Sequence, residues 1–158
     1  MEQMYNLLNK ANTGIASEFL VAGELARRGF NVTFTLGNTK AIDLIIERDG
    51  KLIPVQVKGI QRTKSLCWNV SLKKLQNPQM MFVLVNLNSD TLANPEYFIL
   101  STDEVRQYFK STASGRDYLD YGPAKKLLLE DRWEKFLDVP GIVCEPNIIE
   151  DVIRENIT

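Results

Sequence analysis

AIDLIIERDGKLIPVQVKG, residues 41–59, decides the fold of this chain. Two apolar runs, 41–47 and 52–58, flank Arg48-Asp49-Gly50-Lys51, and Asp-Gly between apolar runs predicts a tight hairpin. With Asp49 and Gly50 at the turn, Arg48 pairs with Lys51 and Asp43 falls directly opposite Gln56. That pair is of the non-hydrogen-bonded kind, the closer one, with Cβ atoms about 4.5–5.5 Å apart. Lys58 lies two residues past Gln56 and shares its face, whereas Leu44, Val55 and Val57 point the other way. An acid, an amide and an amine thus gather on one face of a hairpin whose other face is aliphatic. The plain alternative is a solvent-facing polar side, which alternation alone would give. Pro54 has no N–H to offer a ladder and predicts a bulge or a locally unpaired side.

Outward from the hairpin, the N-terminal side predicts an amphipathic helix over about 14–28, with the preceding MEQMYNLLNKA also helix-compatible. Arg27-Arg28-Gly29 closes it, with cations in the last turn and glycine at the left-handed stop. At about 100° per residue, Ile15, Phe19, Ala22, Leu25 and Ala26 form the apolar stripe, while Ser17, Glu24 and Arg28 share the polar face. Glu18 falls between Leu25 and Ala22, and a carboxylate inside a buried stripe is costly without a cation or metal. A Glu–Lys ion pair, with Lys58 as partner, would also satisfy it. NVTFTL (31–36) reads as a strand.

On the C-terminal side, LCWNVSL reads as a short strand or loop, followed by a brief helix near 71–77. MMFVLVNL (80–87) suits a strand buried on both faces. YFILS (97–101) is a further strand, and Ser101 or Thr102 caps a helix through Phe109. Beyond a polar loop, 124–138 and 147–157 read as helices flanking Pro140-Gly141. Leu127, Leu128, Trp133, Phe136 and Leu137 on the first of them would pack on their own domain or form a dimer surface. Trp68 alternates with Leu66 and Val70, which favours core packing over base stacking. The expected architecture is α/β, a mixed sheet flanked by helices in αβββαβ order. Residues 1–115 form the main domain, and 116–158 form a helical extension on the same domain or on a partner subunit.

The 158 residues are 44% hydrophobic and 25% charged, the composition of one ordinary globular domain. A chain of this length should bury roughly 70% of its unfolded surface. No histidine is present, which excludes Ser-His and Cys-His nucleophile pairs, His-ligated zinc and an imidazole base. Catalysis would have to use carboxylates, amides, lysines and an oxygen-loving metal. Cys67 and Cys144 make no disulfide framework. Neither a cleavable leader nor an apolar span of about 20 residues stands out, so a cytoplasmic setting without a membrane is expected. The net charge of −1 conceals a block, residues 51–74, with 6 basic and no acidic side chains. Such a block suits phosphate contacts, although a solvated face would look the same.

Gly14-Ile15-Ala16-Ser17-Glu18 on a first helix, then Ile42-Asp43, a hairpin and Gln56-Val57-Lys58-Gly59 resemble the PD-(D/E)XK nuclease superfamily. The resemblance covers about 14–61 well and 62–110 loosely. It implies a restriction-endonuclease-like core and a phosphodiesterase site, closest in type to small stand-alone enzymes such as restriction-fold homing endonucleases and Holliday-junction resolvases. It also implies that Asp43, Gln56, the Val57 carbonyl and Glu18 bind Mg²⁺, with Mn²⁺ as a substitute, and that Lys58 orients or stabilises the reacting groups. DNA is the implied substrate. Ile42 stands where the pattern has Pro, and Gln56 where it has an acid. An amide oxygen coordinates without charge, so metal binding should be weaker unless Glu18 supplies the missing carboxylate, and a nuclease-fold protein that binds without cutting is the alternative. Lys40, Gln61, Arg62, Lys64, Lys73 and Lys74 are the candidate nucleic-acid contacts. A homodimer or higher homo-oligomer is expected, since cutting two strands takes two one-site domains.

Overall fold

The computed structural model describes residues 8–35, 42–61 and 66–143, and of Lys74 only the backbone. The first helix, α1 (Lys10–Ala26), is capped by Asn9, whose side-chain oxygen accepts the Asn12 N–H at 2.8 Å and so satisfies a donor with no helical partner. It ends as predicted at Gly29, where φ is +90° and the N–H returns to Ala26 O at 2.9 Å.

Strands β1 (Asn31–Phe34), β2 (Leu44–Arg48), β3 (Lys51–Ile60), β5 (Met81–Asn86) and β6 (Glu96–Ser101) form the main sheet in the order β1-β2-β3-β5-β6, and β9 (Ile142–Val143) pairs with the start of β3. The β3–β5 pair is parallel and the others are antiparallel. The hairpin register is the predicted one from Arg48 opposite Lys51 to Leu44 opposite Val55, but the expected non-hydrogen-bonded pair of Asp43 with Gln56 does not form, because β2 begins at Leu44 and the Asp43 N–H turns to Val55 O. Asp49 and Gly50 have φ of 53° and 74°, the two positive angles of a type I′ turn. Pro54 stands opposite Ile45 with the register unbroken. It falls between the β9 pairing of Lys51 and Leu52 and the β5 pairing that starts at Val55, so no ladder requires its N–H.

A second sheet holds β4 (Cys67–Asn69), β8 (Asp117–Asp120) and β7 (Lys110–Ser111) in the order β4-β8-β7; β4 falls on the short strand or loop expected at LCWNVSL, whereas β7 and β8 lie in the segment read as a polar loop. Helix α2 (Thr102–Tyr108) carries the capping box of Ser101 and Glu104. The helix expected near 71–77 is a single 3₁₀ turn, Leu72–Lys74.

The continuous helix over 124–138 is also corrected. It is replaced by α3 (Tyr121–Lys126) and α4 (Lys135–Asp138), with positive φ at Leu128 and Asp131. Between them the backbone is drawn onto the edge of β6: Ile99 N–H bonds Leu129 O at 3.0 Å and Asp131 N–H bonds Tyr97 O at 2.9 Å. Covering an otherwise open sheet edge outweighs helix propensity here. The helix read over 147–157 lies outside the described residues.

The main sheet is buried on both faces. On one, Val21, Ala22 and Leu25 of α1 pack with Leu44, Ile46, Ile53, Val55, Val57, Trp133 and Phe136. On the other, Phe82, Leu84, Phe98 and Leu100 pack with Trp68, Leu119 and Val105. Trp68 is a core residue, its indole N–H bonded to Val85 O at 3.0 Å. Among the described residues Trp133 and Phe136 pack on their own chain, while Leu128 and Leu137 are exposed. No helix among them is long and apolar enough to cross a membrane.

Helix α1 is rotated from the expected stripe. Thr13 and Ser17 are buried with Val21, Ala22 and Leu25, whereas Ile15 is 53% and Phe19 64% exposed. The cause is Gly59 on β3: a Cβ there would stand 2.0 Å from Ser17 Oγ, so helix and strand meet through small residues. Ser17 satisfies its hydroxyl on Thr13 O at 2.7 Å.

Candidate active site

β3 outruns β2: it continues to Ile60 while β2 begins at Leu44. Asp43 sits at the point of departure. In the straight register the Val57 N–H would meet the Ile42 carbonyl. Instead the Asp43 N–H bonds Val55 O at 2.9 Å and the Asp43 carboxylate Oδ2 accepts the Val57 N–H at 2.7 Å. Asp43 O also accepts the Thr35 N–H at 3.1 Å. Asp43 is thus held through its side chain by β3 and through its backbone carbonyl by Thr35, just past the end of β1. N–H and C=O of one residue face the same edge of an antiparallel strand, so the Val57 carbonyl faces the edge that carries Asp43.

Gln56 and Lys58 are register partners of Phe82 and Leu84, which places them on the sheet face of the second core. Gln56 is only 7% exposed and Lys58 is half-buried. Glu18 approaches from α1. Its carboxyl is held above the ordinary carboxylate range, first by burial and then by the negative charge of Asp43, with the Lys58 ammonium acting in the opposite direction. The carboxylates and the lysine therefore lie within each other's field.

The donor set is all oxygen, two carboxylates with an amide and a backbone carbonyl, which is the chemistry a hard divalent cation takes. Among the described residues no group of three His, Cys, Asp or Glu could hold a metal, because the third position is the neutral Gln56. These donors fit such an ion with one charge fewer than a three-carboxylate site.

The candidate nucleic-acid contacts divide. Lys40, Arg62, Lys64 and the Lys74 side chain lie outside the described residues. Lys73 is exposed, with its ammonium 3.9 Å from where a Cβ on Gly115 would stand. The Gln61 amide is engaged elsewhere: Oε1 accepts the Leu8 N–H at 2.9 Å, and Nε2 donates to Leu8 O and Thr13 Oγ1. It ties the chain before α1 to the end of β3. Two supporting elements were missed in the sequence, the Val57 N–H as anchor of Asp43 and the Thr13–Ser17 seat for Gly59. The signal for the second was present, since Thr13, Ser17, Val21 and Leu25 recur every fourth residue.

A sequence profile described as PD-(D/E)XK endonuclease matches residues 8–90. No curated protein sequence gives a significant match. Among solved structures, the bacterial homing endonuclease I-Ssp6803I superposes with TM-score 0.58 at 16% identity, over 84% of this chain and 94% of that one. Hjc, a Holliday junction resolvase from the archaeal hyperthermophile Archaeoglobus fulgidus, does so with TM-score 0.53 at 13% identity, over 77% and 93%. Both likenesses are of fold.

Proposed function

The chain belongs to the PD-(D/E)XK endonuclease family, and on that premise we propose that it is a divalent-metal-dependent endonuclease hydrolysing DNA phosphodiester bonds. The observation that carries this reading is the Asp43 carboxylate, pinned by the Val57 N–H where β2 leaves β3, with both Asp43 and Lys58 acting on the ionisation of Glu18.

Asp43, the Gln56 side-chain oxygen, the Val57 carbonyl and Glu18, directly or through a water, would hold Mg²⁺, with Mn²⁺ as a substitute. When bound, such an ion polarises the scissile phosphate and lowers the pKa of a coordinated water. The protein supplies the remainder. Asp43 commits Oδ2 to the backbone, which fixes the direction of Oδ1. Lys58 projects from the same face as Gln56; its ammonium orients the attacking water or meets the charge developing on the phosphate oxygens. Lys40, Arg62, Lys64, Lys73 and Lys74 are assigned to substrate phosphates, and Gln61 to support of the α1 entry. Two copies in a two-fold assembly would cut both strands; a strict monomer under cleavage conditions would remove that element.

The test is cleavage of supercoiled plasmid and of branched and single-stranded DNAs in Mg²⁺, Mn²⁺ or EDTA. Metal-dependent cutting by the wild type, lost by at least about 100-fold in Lys58→Ala, is expected, as for an electrostatic transition-state contact. Gln56 favours a second reading, a nuclease fold that binds DNA without cutting. Gln56→Glu adds the missing charge and should tighten Mn²⁺ binding, measured by calorimetry, on either reading. Cutting that appears only in this variant would select the second.

A further inference from the structure

Helix α1 turns an uncharged, largely apolar face away from its own sheet. Thr13, Ser17, Val21, Ala22 and Leu25 take the buried side. At about 100° per residue, Ala11, Asn12, Ile15, Phe19, Gly23 and Ala26 fall within about 120° of one another on the opposite side, and all six are exposed. The nearest charges lie on the flanks of this strip, Glu18 of the candidate site on one and Arg27, paired with Glu24 at 2.8 Å, on the other. The solvent side of a surface helix is ordinarily its charged side, and an apolar strip that runs the length of the helix marks a contact surface.

Two further observations bear on what covers it. Gly23 lies inside the helix, where glycine is a poorer helix former than alanine, yet a Cβ there would meet nothing within 4 Å. No contact among the described residues calls for a glycine at this position. A second helix packed across it does, since a side chain of that helix then enters the gap. Beside the strip lies β1, joined to it by the rings of Phe19 and Phe34 at 5.0 Å. The outer edge of β1 pairs with no strand among the described residues, and residues 31–35 hold neither a charge nor a proline, the usual guards of an open edge. The opposite edge, at β6, is covered by 129–131. The uncharged surface is therefore wider than the helix alone.

A two-fold contact sets a surface against itself, so a charged face meets its own like charges and an uncharged one does not. Antiparallel packing about an axis beside Phe19 sets position 15 of one copy against position 23 of the other, which seats Ile15 in the gap at Gly23 of the partner subunit. We infer that the exposed face of α1, with the adjoining edge of β1, is the contact between two copies of this chain, the two helices running antiparallel. The inference gives a surface to the two-fold assembly of the nuclease reading, and it is tested without DNA or catalysis, so the two readings fail separately.

The test is sedimentation velocity of the full chain in EDTA across a dilution series. The wild type should sediment as a dimer at about 100 μM. Ile15→Lys and Gly23→Glu each place a charge on the face, and each should raise the dimer dissociation constant at least about 10-fold. Ile15 is exposed and a Cβ at Gly23 meets open space, so both variants should keep the far-UV circular dichroism of the wild type and a cooperative melt. The double variant Ile15→Lys/Gly23→Glu should recover dimerisation, because the antiparallel contact brings its opposite charges together between copies, whereas positions 15 and 23 are two turns apart within one helix. A wild type that stays monomeric would overturn the inference, whether residues 1–7 or a different protein then cover the face. Single variants that dimerise as the wild type does would place the contact elsewhere and overturn it too. Failure of the double variant to recover would overturn the antiparallel contact. Loss of plasmid cutting by a wild type that remains dimeric would count against the nuclease reading alone.

Discussion

Glu18 shows how one ionised residue can work against folding at neutral pH. Burial and Asp43 raise its pKa, so the folded chain holds this proton more tightly than the unfolded chain does. The stability it contributes is full below the ordinary Glu value of about 4.3 and declines as pH rises through the higher folded pKa. In metal-free protein at neutral pH, Glu18→Gln should therefore melt above the wild type, and the gap should close as pH falls to about 4. Thermal melts across pH in EDTA measure this, and a gap that does not depend on pH would refute the coupling. At this scale the sequence was informative: a carboxylate on the helix stripe was conspicuous, and alternation placed Asp43, Gln56 and Lys58 on one face. It did not reveal that the Asp43 carboxylate takes the place of a backbone carbonyl for the Val57 N–H, because that depends on where β2 leaves the ladder.

Among the elements, the contact between α1 and β3 sets the distance from Glu18 to the hairpin. It depends on Gly59, where a Cβ would lie 2.0 Å from Ser17 Oγ and 3.1 Å from Thr13 O. Gly59→Ala must push the helix away and should cost about 1–3 kcal/mol, as overpacking does, measured by urea unfolding. Ser17→Gly in the same chain should recover part of the loss. No recovery would place the strain elsewhere. The hairpin was legible from its turn to the Leu44–Val55 pair because turn chemistry and period-2 alternation are local. The rotation of α1 was not, since the larger apolar residues Ile15 and Phe19 lost the buried face to Thr13 and Ser17 through a glycine more than forty positions away. Phe19 instead packs beside Phe34 of β1, with ring centroids 5.0 Å apart.

For the whole molecule, the two tryptophans report on the two faces of the main sheet. Trp68 packs with Phe98 at 5.1 Å in one core, and Trp133 with Tyr97 at 5.3 Å in the other, under Arg28 at 4.3 Å. Lys135 Nζ donates to Ile99 O at 3.0 Å and pairs with Glu104 at 2.7 Å, joining α4 to β6 and α2. One cooperative unit follows. Single-tryptophan variants, Trp68→Phe and Trp133→Phe, should each unfold in urea with fluorescence and far-UV circular dichroism transitions that coincide. Separate midpoints for the two probes would divide the chain into independently folding parts.

By itself the sequence determined the β2–β3 hairpin and its register as far as Leu44 opposite Val55, the glycine stop of α1, the capped α2 and the buried β5. Each follows from local turn chemistry, capping or short-period patterning. Only the tertiary structure decided which face of α1 is buried, that β7 and β8 join β4 in a second sheet, and that 129–131 pairs with β6 instead of continuing a helix. Those outcomes are competitions between distant segments for one sheet edge, one close approach or one core, and they depend on partners that a local reading does not bring together.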